Sequence, residues 1–279
     1  MDSNLYLRRP YSLAHEEIAF HKRNPETGII LGAEPFFIKG GVSEAILCIH
    51  GYTSTPRDLR VIGEQLAGQG FTVSGVLLPG HGTRPTSLDS VHWEEWYHAV
   101  RSEYLKLRQI CKTVHVIGFS MGGSLAMHLA ANETIGKIVL LSPFFKIAYL
   151  KHHLIPQEWL VYTVGKLLRH LKKRHSGNCN DVSAQRSHIA YYHYALSSIQ
   201  QALELVRVIQ RESVRISNPV LIIHSKNDKT TRYSASRGIY NVLPSHIKRF
   251  VTLTRSNHII PHDLEKERVF GEISRFLCN

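Results

Sequence analysis

The sequence predicts a three-layer α/β fold, with a mostly parallel central sheet, helices on both faces and a helical insertion. Three observations carry this expectation. Six short, continuously apolar segments recur along the 279-residue chain, as strands buried on both faces of a parallel sheet require. Segments of helical periodicity lie between most of them, and that alternation places helices on both sides of the sheet. The alternation then breaks between residues 143 and 217, where one crossover helix would have been enough.

The elements follow in order. Residues 1–33 are polar and near neutral in charge, and read as a peripheral extension before "AEPFFIKG". Strand "AILCIH" (45–50) leads to a helix over 57–69, strand "FTVSGVLL" (71–78) and a helix over 91–110. Strand "VHVIG" (114–118) leads to a helix over 121–131 and strand "KIVLLS" (137–142). After the insertion come strand "PVLIIHS" (219–225), a helix over 234–243, strand "RFVTLT" (249–254) and a helix over 264–277. Within the insertion, Ile199, Leu203, Val206 and Ile209 of "SSIQQALELVRVIQ" share one helical face. Residues 34–142 and 218–279 thus form the core, and 143–217 stands over the sheet as a cap.

Composition narrows the classes of protein. Hydrophobic residues make up 43% and charged residues 20%, ordinary values for a globular chain of this size. No apolar run approaches the roughly 18 residues of a membrane helix, and "MDSNLYLRRPYSLAHEE" lacks the pattern of a secretory signal. The cysteines, at 48, 111, 179 and 278, form no close pair. They read as structural thiols in a reducing, cytoplasmic setting, with Cys48 a small core residue. The net charge of +12 is concentrated in residues 146–217, which hold 11 Lys/Arg against 4 Asp/Glu. A solvated face is the weightier reading of that excess. The second is peripheral contact with an anionic membrane through "LLRHLKKRH", and nucleic acid ranks below both.

The chemistry starts at "GFSMG" (118–122), a G-x-S-x-G pattern with a strand before it and a helix after it. A sharp strand-to-helix turn lifts the Ser120 hydroxyl clear of the sheet, and the flanking glycines allow close backbone approach. Serine attacks poorly without a base. Sites of this kind place an acid and then a histidine later in the chain, each just after a strand. "KNDKTT" supplies Asp228 after one strand, and "RSNHIIPHD" supplies His258 after the next. His258 then takes the Ser120 proton and returns it to the leaving group, while Asp228 fixes the tautomer. His262 and Asp263 compete, but they precede the last helix and read as capping or surface groups. The oxyanion needs two donors, expected from the Met121 amide and from the Tyr52 amide in "HGYTSTP" (50–56). His50 reads as a turn histidine. His170, His175 and Cys179 match no closed zinc spacing, so no metal is expected.

These motifs carry a resemblance. "CIHGYTSTP", "LLPGHGT", "HWEEWY", "VIGFSMGG", "NPVLIIHSKND" and "SNHII" are similar to the α/β-hydrolase carboxylesterases and monoacylglycerol lipases of bacteria, over residues 34 to 278. The resemblance implies an α/β-hydrolase fold, a Ser120–Asp228–His258 triad and oxyanion amides at Tyr52 and Met121. It implies no metal or organic cofactor, and gives His81 of "LPGHG" a loop role. It also implies that a cap inserted after the sixth strand shapes the acyl pocket, and here "FFKIAYL…ESVRIS" occupies that place. The cap and the N-terminal extension depart from the family. Phe144, Phe145, Leu154, Trp159 and Tyr162 are the pocket candidates, with packing inside the cap as the alternative for each. The leading function is hydrolysis of a carboxylic acyl ester, such as a monoacylglycerol, through an acyl-enzyme. Thioesterase, acyltransferase or amidase chemistry on the same triad, and a non-catalytic binding protein, stay open as alternatives.

Overall fold

A computed structural model describes residues 22–148, 157–165, 168–172 and 178–279. Strands β1 (Phe36–Ile38), β2 (Glu44–Ile49), β3 (Thr72–Val76), β4 (Thr113–Phe119) and β5 (Ile138–Leu141) precede the insertion. Strands β8 (Val220–Ser225) and β9 (Lys248–Leu253) follow it. They form one sheet in the order β1-β3-β2-β4-β5-β8-β9. Every pairing is parallel except that of β1 with β3. The short edge strand β1 was not foreseen, because three residues are too few to show a period.

The parallel sheet follows from side chains that are apolar on both faces. In β2, Ala45, Leu47 and Ile49 enter one core cluster, and Ile46 and Cys48 enter the other. All five are buried. On the first face lie α2 (Trp93–Ile110), α3 (Met121–Asn132) and α7 (Tyr233–Val242). The second face is covered by α1 (Arg57–Ala67) and α8 (Lys266–Cys278). Helix α2 buries Trp96, Val100, Tyr104 and Leu107, the i, i+4 spacing of one apolar stripe. Its start is fixed by Glu95 Oε1, which accepts from the His92 amide at 2.9 Å. Helix α3 has no solvent-exposed face over its first nine residues, which are all buried. Each fully buried Leu or Ile contributes about 1.5–3 kcal/mol, so the sheet and α3 form the most strongly held part of the chain.

Between β5 and β8 lie α4 (Gln157–Val164), β6 (His170–Lys172), α5 (Val182–Ser187), β7 (His193–Ala195) and α6 (Leu196–Glu212), with β6 and β7 paired antiparallel in a second, two-stranded sheet. Asp181 caps α5 by accepting from the amides of Ser183 and Ala184 at 3.0 and 3.2 Å. Helix α6 lies along α2 and α3, and Ala202, Leu205 and Ile209 join the first core cluster. Its buried face is wider than the sequence stripe, because Ile199 is only half-buried while Ala202 and Leu205 are fully packed. No helix among the described residues is long and apolar enough to cross a membrane.

Candidate active site

Strand β4 runs into α3 through a single strained residue. Ser120 has φ 54° and ψ −118°, a left-handed conformation that costs a side-chain-bearing residue on the order of 1–3 kcal/mol. The flanking glycines are required by close approach. A Cβ on Gly118 would lie 2.3 Å from Gly122 O, and one on Gly122 would lie 2.1 Å from Ile49 O. The turn is held by Ser120 N, which donates to Leu141 O at 2.9 Å, and by Ser120 O, which accepts from Gly123 N and Phe144 N.

The loops after β8 and β9 bring two more side chains to this turn. His258 Nε2 lies 3.0 Å from Ser120 Oγ, and His258 Nδ1 lies 2.8 Å from Asp228 Oδ2. Ser120 and His258 are 6% and 5% exposed, and the Asp228 side chain is fully buried. Asp228 Oδ1 accepts from the amides of Thr230 and Thr231 at 2.7 and 2.8 Å. Oδ2 also accepts from Thr231 Oγ1 at 2.8 Å and from His224 Nε2 at 3.0 Å. Burial on its own raises this carboxyl. The charge of His258 and the hydrogen bonds from both imidazoles outweigh that and hold it well below the usual carboxylate range. Asp228 is therefore ionised across the neutral range.

The loop after β2 closes the remaining side. A Cβ on Gly51 would meet Ser120 Cβ at 3.0 Å, so the backbone before Tyr52 lies directly against the serine. Among the described residues, the amides of Tyr52 and Met121 have no protein acceptor. The Tyr52 ring stacks with that of Tyr194 at 6.1 Å, and its hydroxyl donates to Ala195 O at 2.9 Å. His50 sits beneath this loop. It accepts from Leu78 N at Nε2 (3.1 Å), which leaves Nδ1–H to donate to Gly51 O at 2.8 Å. Burial pushes its imidazole down to about 4, against the opposing pull of Gly51 O and Asp58. It holds the turn as a neutral group.

Residues 178–198 lie across both loops. The amides of His258 and Ile259 donate to Asn178 O at 3.0 Å, and Tyr191 N donates to Thr53 O at 2.9 Å. Two buried carboxylates complete the framework. Asp58, at the start of α1, pairs with His188 at 3.0 Å and His262 at 3.5 Å. Asp263 accepts from the amides of Asn180, Asp181 and Asn257. The sequence reading of Asp263 as a capping or surface group is corrected here, while His262 stays partly exposed at the surface. Asp263 is fully buried, because it supplies acceptors to amides from two converging loops.

The pocket candidates separate. Phe144 is half-buried beside the turn, while Phe145 is 3% exposed and packs into the first core cluster. Tyr162 is half-buried, with the Arg207 guanidinium 5.2 Å from its ring centre. Trp159 is 70% exposed and faces solvent. Leu154 lies outside the described residues, as does His175. His170 pairs with Asp89 at 2.8 Å, and no group of three metal-ligating side chains occurs among the described residues. His81 Nδ1 bonds Pro79 O at 3.0 Å in its loop. Sequence reasoning missed His224 and Thr231 beside Asp228. A polar residue closing the apolar run "PVLIIHS" was the available signal for His224.

A family described as serine aminopeptidase, S33, matches residues 41–265 of the chain. The protein belongs to this family. As an S33 hydrolase it is 29% identical over 252 residues to a thermostable monoacylglycerol lipase of Bacillus sp. (strain H-257), covering 90% of this chain and 96% of that one. It is 24% identical over 251 residues to a carboxylesterase of Bacillus subtilis (strain 168), covering 89% and 97%. Among solved structures, a metagenome-derived lipolytic enzyme superposes with TM-score 0.81 at 24% identity, covering 90% and 100%. The monoacylglycerol lipase of Paleococcus ferrophilus superposes with TM-score 0.74 at 20% identity, covering 88% and 98%. Those likenesses establish the fold of this S33 hydrolase as that of the α/β-hydrolases.

Proposed function

We propose that the protein is a serine hydrolase of carboxylic esters, with Ser120, His258 and Asp228 as its triad and a monoacylglycerol or similar acyl ester as its substrate. The observation that carries this reading is the unbroken chain from Ser120 Oγ through His258 to Asp228, at 3.0 and 2.8 Å. His258 Nδ1–H donates to the ionised Asp228, so Nε2 is bare and faces the hydroxyl. Attack of Ser120 Oγ on the ester carbonyl passes its proton to His258. His258 then protonates the departing alcohol, leaving an acyl-serine that water hydrolyses by the same steps. The Tyr52 and Met121 amides donate to the oxyanion, and losing one such donor costs about 10²–10³ in turnover. The names of the two Bacillus relatives support an ester substrate.

Residues 34–142 and 218–279 serve in this reading as the hydrolase core, 143–217 as the cap and 1–33 as an extension. Phe144, beside the serine turn, is the best placed of the pocket candidates. The exposed Trp159 lies in the same segment as the exposed Arg169 and Lys172, which supports peripheral contact of the cap with anionic lipid. Flotation with phosphatidylglycerol liposomes at low and high salt tests this, and salt-insensitive absence of binding rejects it.

The central test is a panel of p-nitrophenyl esters from C2 to C16, monoacylglycerols, acyl-CoA and aminoacyl nitroanilides. Ester turnover by the wild type is expected, and Ser120→Ala should lower kcat on the order of 10⁵–10⁶-fold with the fold intact. Preference for acyl-CoA would assign a thioesterase, and a Ser120→Ala enzyme of near-normal rate would reject the triad.

A further inference from the structure

Asp228 Oδ2 receives two imidazoles. His258 approaches at 2.8 Å from the β9–α8 loop, and His224 approaches at 3.0 Å from the end of β8. The triad as proposed uses only the first. His224 is fully buried, and both of its nitrogens are engaged. Nδ1 lies 2.8 Å from Ser236 Oγ of α7, and Nε2 faces the carboxylate. A bare Nε2 opposite an ionised oxygen would set lone pair against lone pair. Nε2 therefore carries hydrogen and donates, and Nδ1 accepts from the Ser236 hydroxyl. Among the described residues, the titratable groups facing His224 are Asp228, His258 through that carboxylate, and Tyr233 of α7, whose ring meets it edge-on at 5.7 Å.

We propose that His224 is a positioning residue that acts through Asp228: by donating to Oδ2 it shares the oxygen that holds His258 and sets the pH at which His258 becomes a base. The reading rests on the Ser120–His258–Asp228 assignment. A hydrogen bond to a carboxylate stabilises its charged form and lowers its basicity. With His224 donating, Oδ2 holds the His258 imidazolium less tightly, so His258 gives up its proton at a lower pH. Without that donor, the same oxygen binds the imidazolium more strongly and the midpoint rises. The Thr230 and Thr231 amides fix the other oxygen and keep the carboxylate from rotating to compensate.

The test follows the rate of Ser120 labelling by a fluorophosphonate between pH 5 and 9, which reads the base without a substrate. His224→Leu is expected to shift the midpoint up by about one pH unit, so labelling below both midpoints slows about tenfold. His224→Gln, whose amide can donate at the reach of Nε2, is expected to restore the wild-type midpoint. A leucine variant that labels with an unmoved midpoint overturns the role of His224 and leaves the triad standing. A wild type that never labels overturns the triad, and this inference with it. Should the leucine variant fail to fold, imidazole ¹⁵N NMR of the wild type decides. A His224 tautomer protonated at Nε2 is the expected result, and one protonated only at Nδ1 overturns the proposal.

Discussion

Two histidines, His50 after β2 and His258 after β9, illustrate how burial and partners set the state of a side chain. His258 keeps a bare Nε2 because its one hydrogen sits on Nδ1 and is donated to Asp228. His50 stays neutral because it has almost no water, and its two nitrogens are matched to one donor and one acceptor. The ordinary value of 6.5 falls to about 4, which ties folding to pH with a definite sign. Between those values the unfolded chain binds a proton that the folded chain refuses. Stability is therefore whole above pH 6.5 and declines as the pH falls to 4, by roughly 3 kcal/mol from this residue. Urea unfolding at intervals across that range measures the decline. His50→Gln should remove most of it, and a variant with an undiminished loss would show that His50 is not buried as a neutral group. Asp228→Asn should keep the fold but lower kcat about 10³–10⁴-fold, because an amide no longer enforces the His258 tautomer.

Loops are positioned by the elements that end in them, and the working face is assembled where β2, β4, β8 and β9 all end. Each functional group sits just past one of these strands, at a height set by register. Ile49 pairs with Gly118, Leu141 with Ile223, and Ser225 with Leu253. The loops alone would be loose, and the buried carboxylates join them. Asp58 joins α1 to His188 and His262, so it links the turn at Tyr52 to the segment carrying His258. Removing one partner of a buried pair costs about 3–5 kcal/mol. Asp58→Ala should therefore lower Tm by on the order of 10 °C and reduce kcat as the Tyr52 amide drifts. A thermal melt and a rate measurement check this, and a Tm shift under about 2 °C would contradict the role. Gly122→Ala belongs to the same scale. Its Cβ would lie 2.1 Å from Ile49 O, so β2 and α3 could not both keep their places, and expression should yield no folded protein.

At the scale of the whole molecule, a mostly parallel sheet is covered on both faces, and this covering governs its thiol chemistry. Cys48, Cys111 and Cys179 are buried and only Cys278 is exposed, with no disulfide among the four. Burial pushes the Cys48 and Cys179 thiols up to about 12. An aromatic disulfide reagent should titrate one thiol in the native protein and four in denaturant. More than one fast thiol in the native state would mean that a face of the sheet opens. Much of this organisation was legible in the chain. Continuous apolar runs such as "PVLIIHS" announce buried parallel strands, because a sheet covered on both faces leaves no polar side for alternation. The pattern around Ser120 announces its turn, because only glycines fit where backbone meets backbone. The three-residue strands β1, β6 and β7 were not legible, since their pairing depends on partners far along the chain. His224 was hidden for the same reason. Its identity is written in the sequence, but its meaning depends on Asp228 turning back across the strand end. The sequence by itself determined the six longer strands, the serine turn and the chain order of Ser120, Asp228 and His258 after their strands, because these rest on local sterics and on runs of hydrophobicity. Only the tertiary structure decided that two imidazoles share one carboxylate oxygen, that Asp58 and Asp263 bind the loops together, and that Trp159 faces solvent. Those outcomes depend on distances between segments that local propensity does not encode.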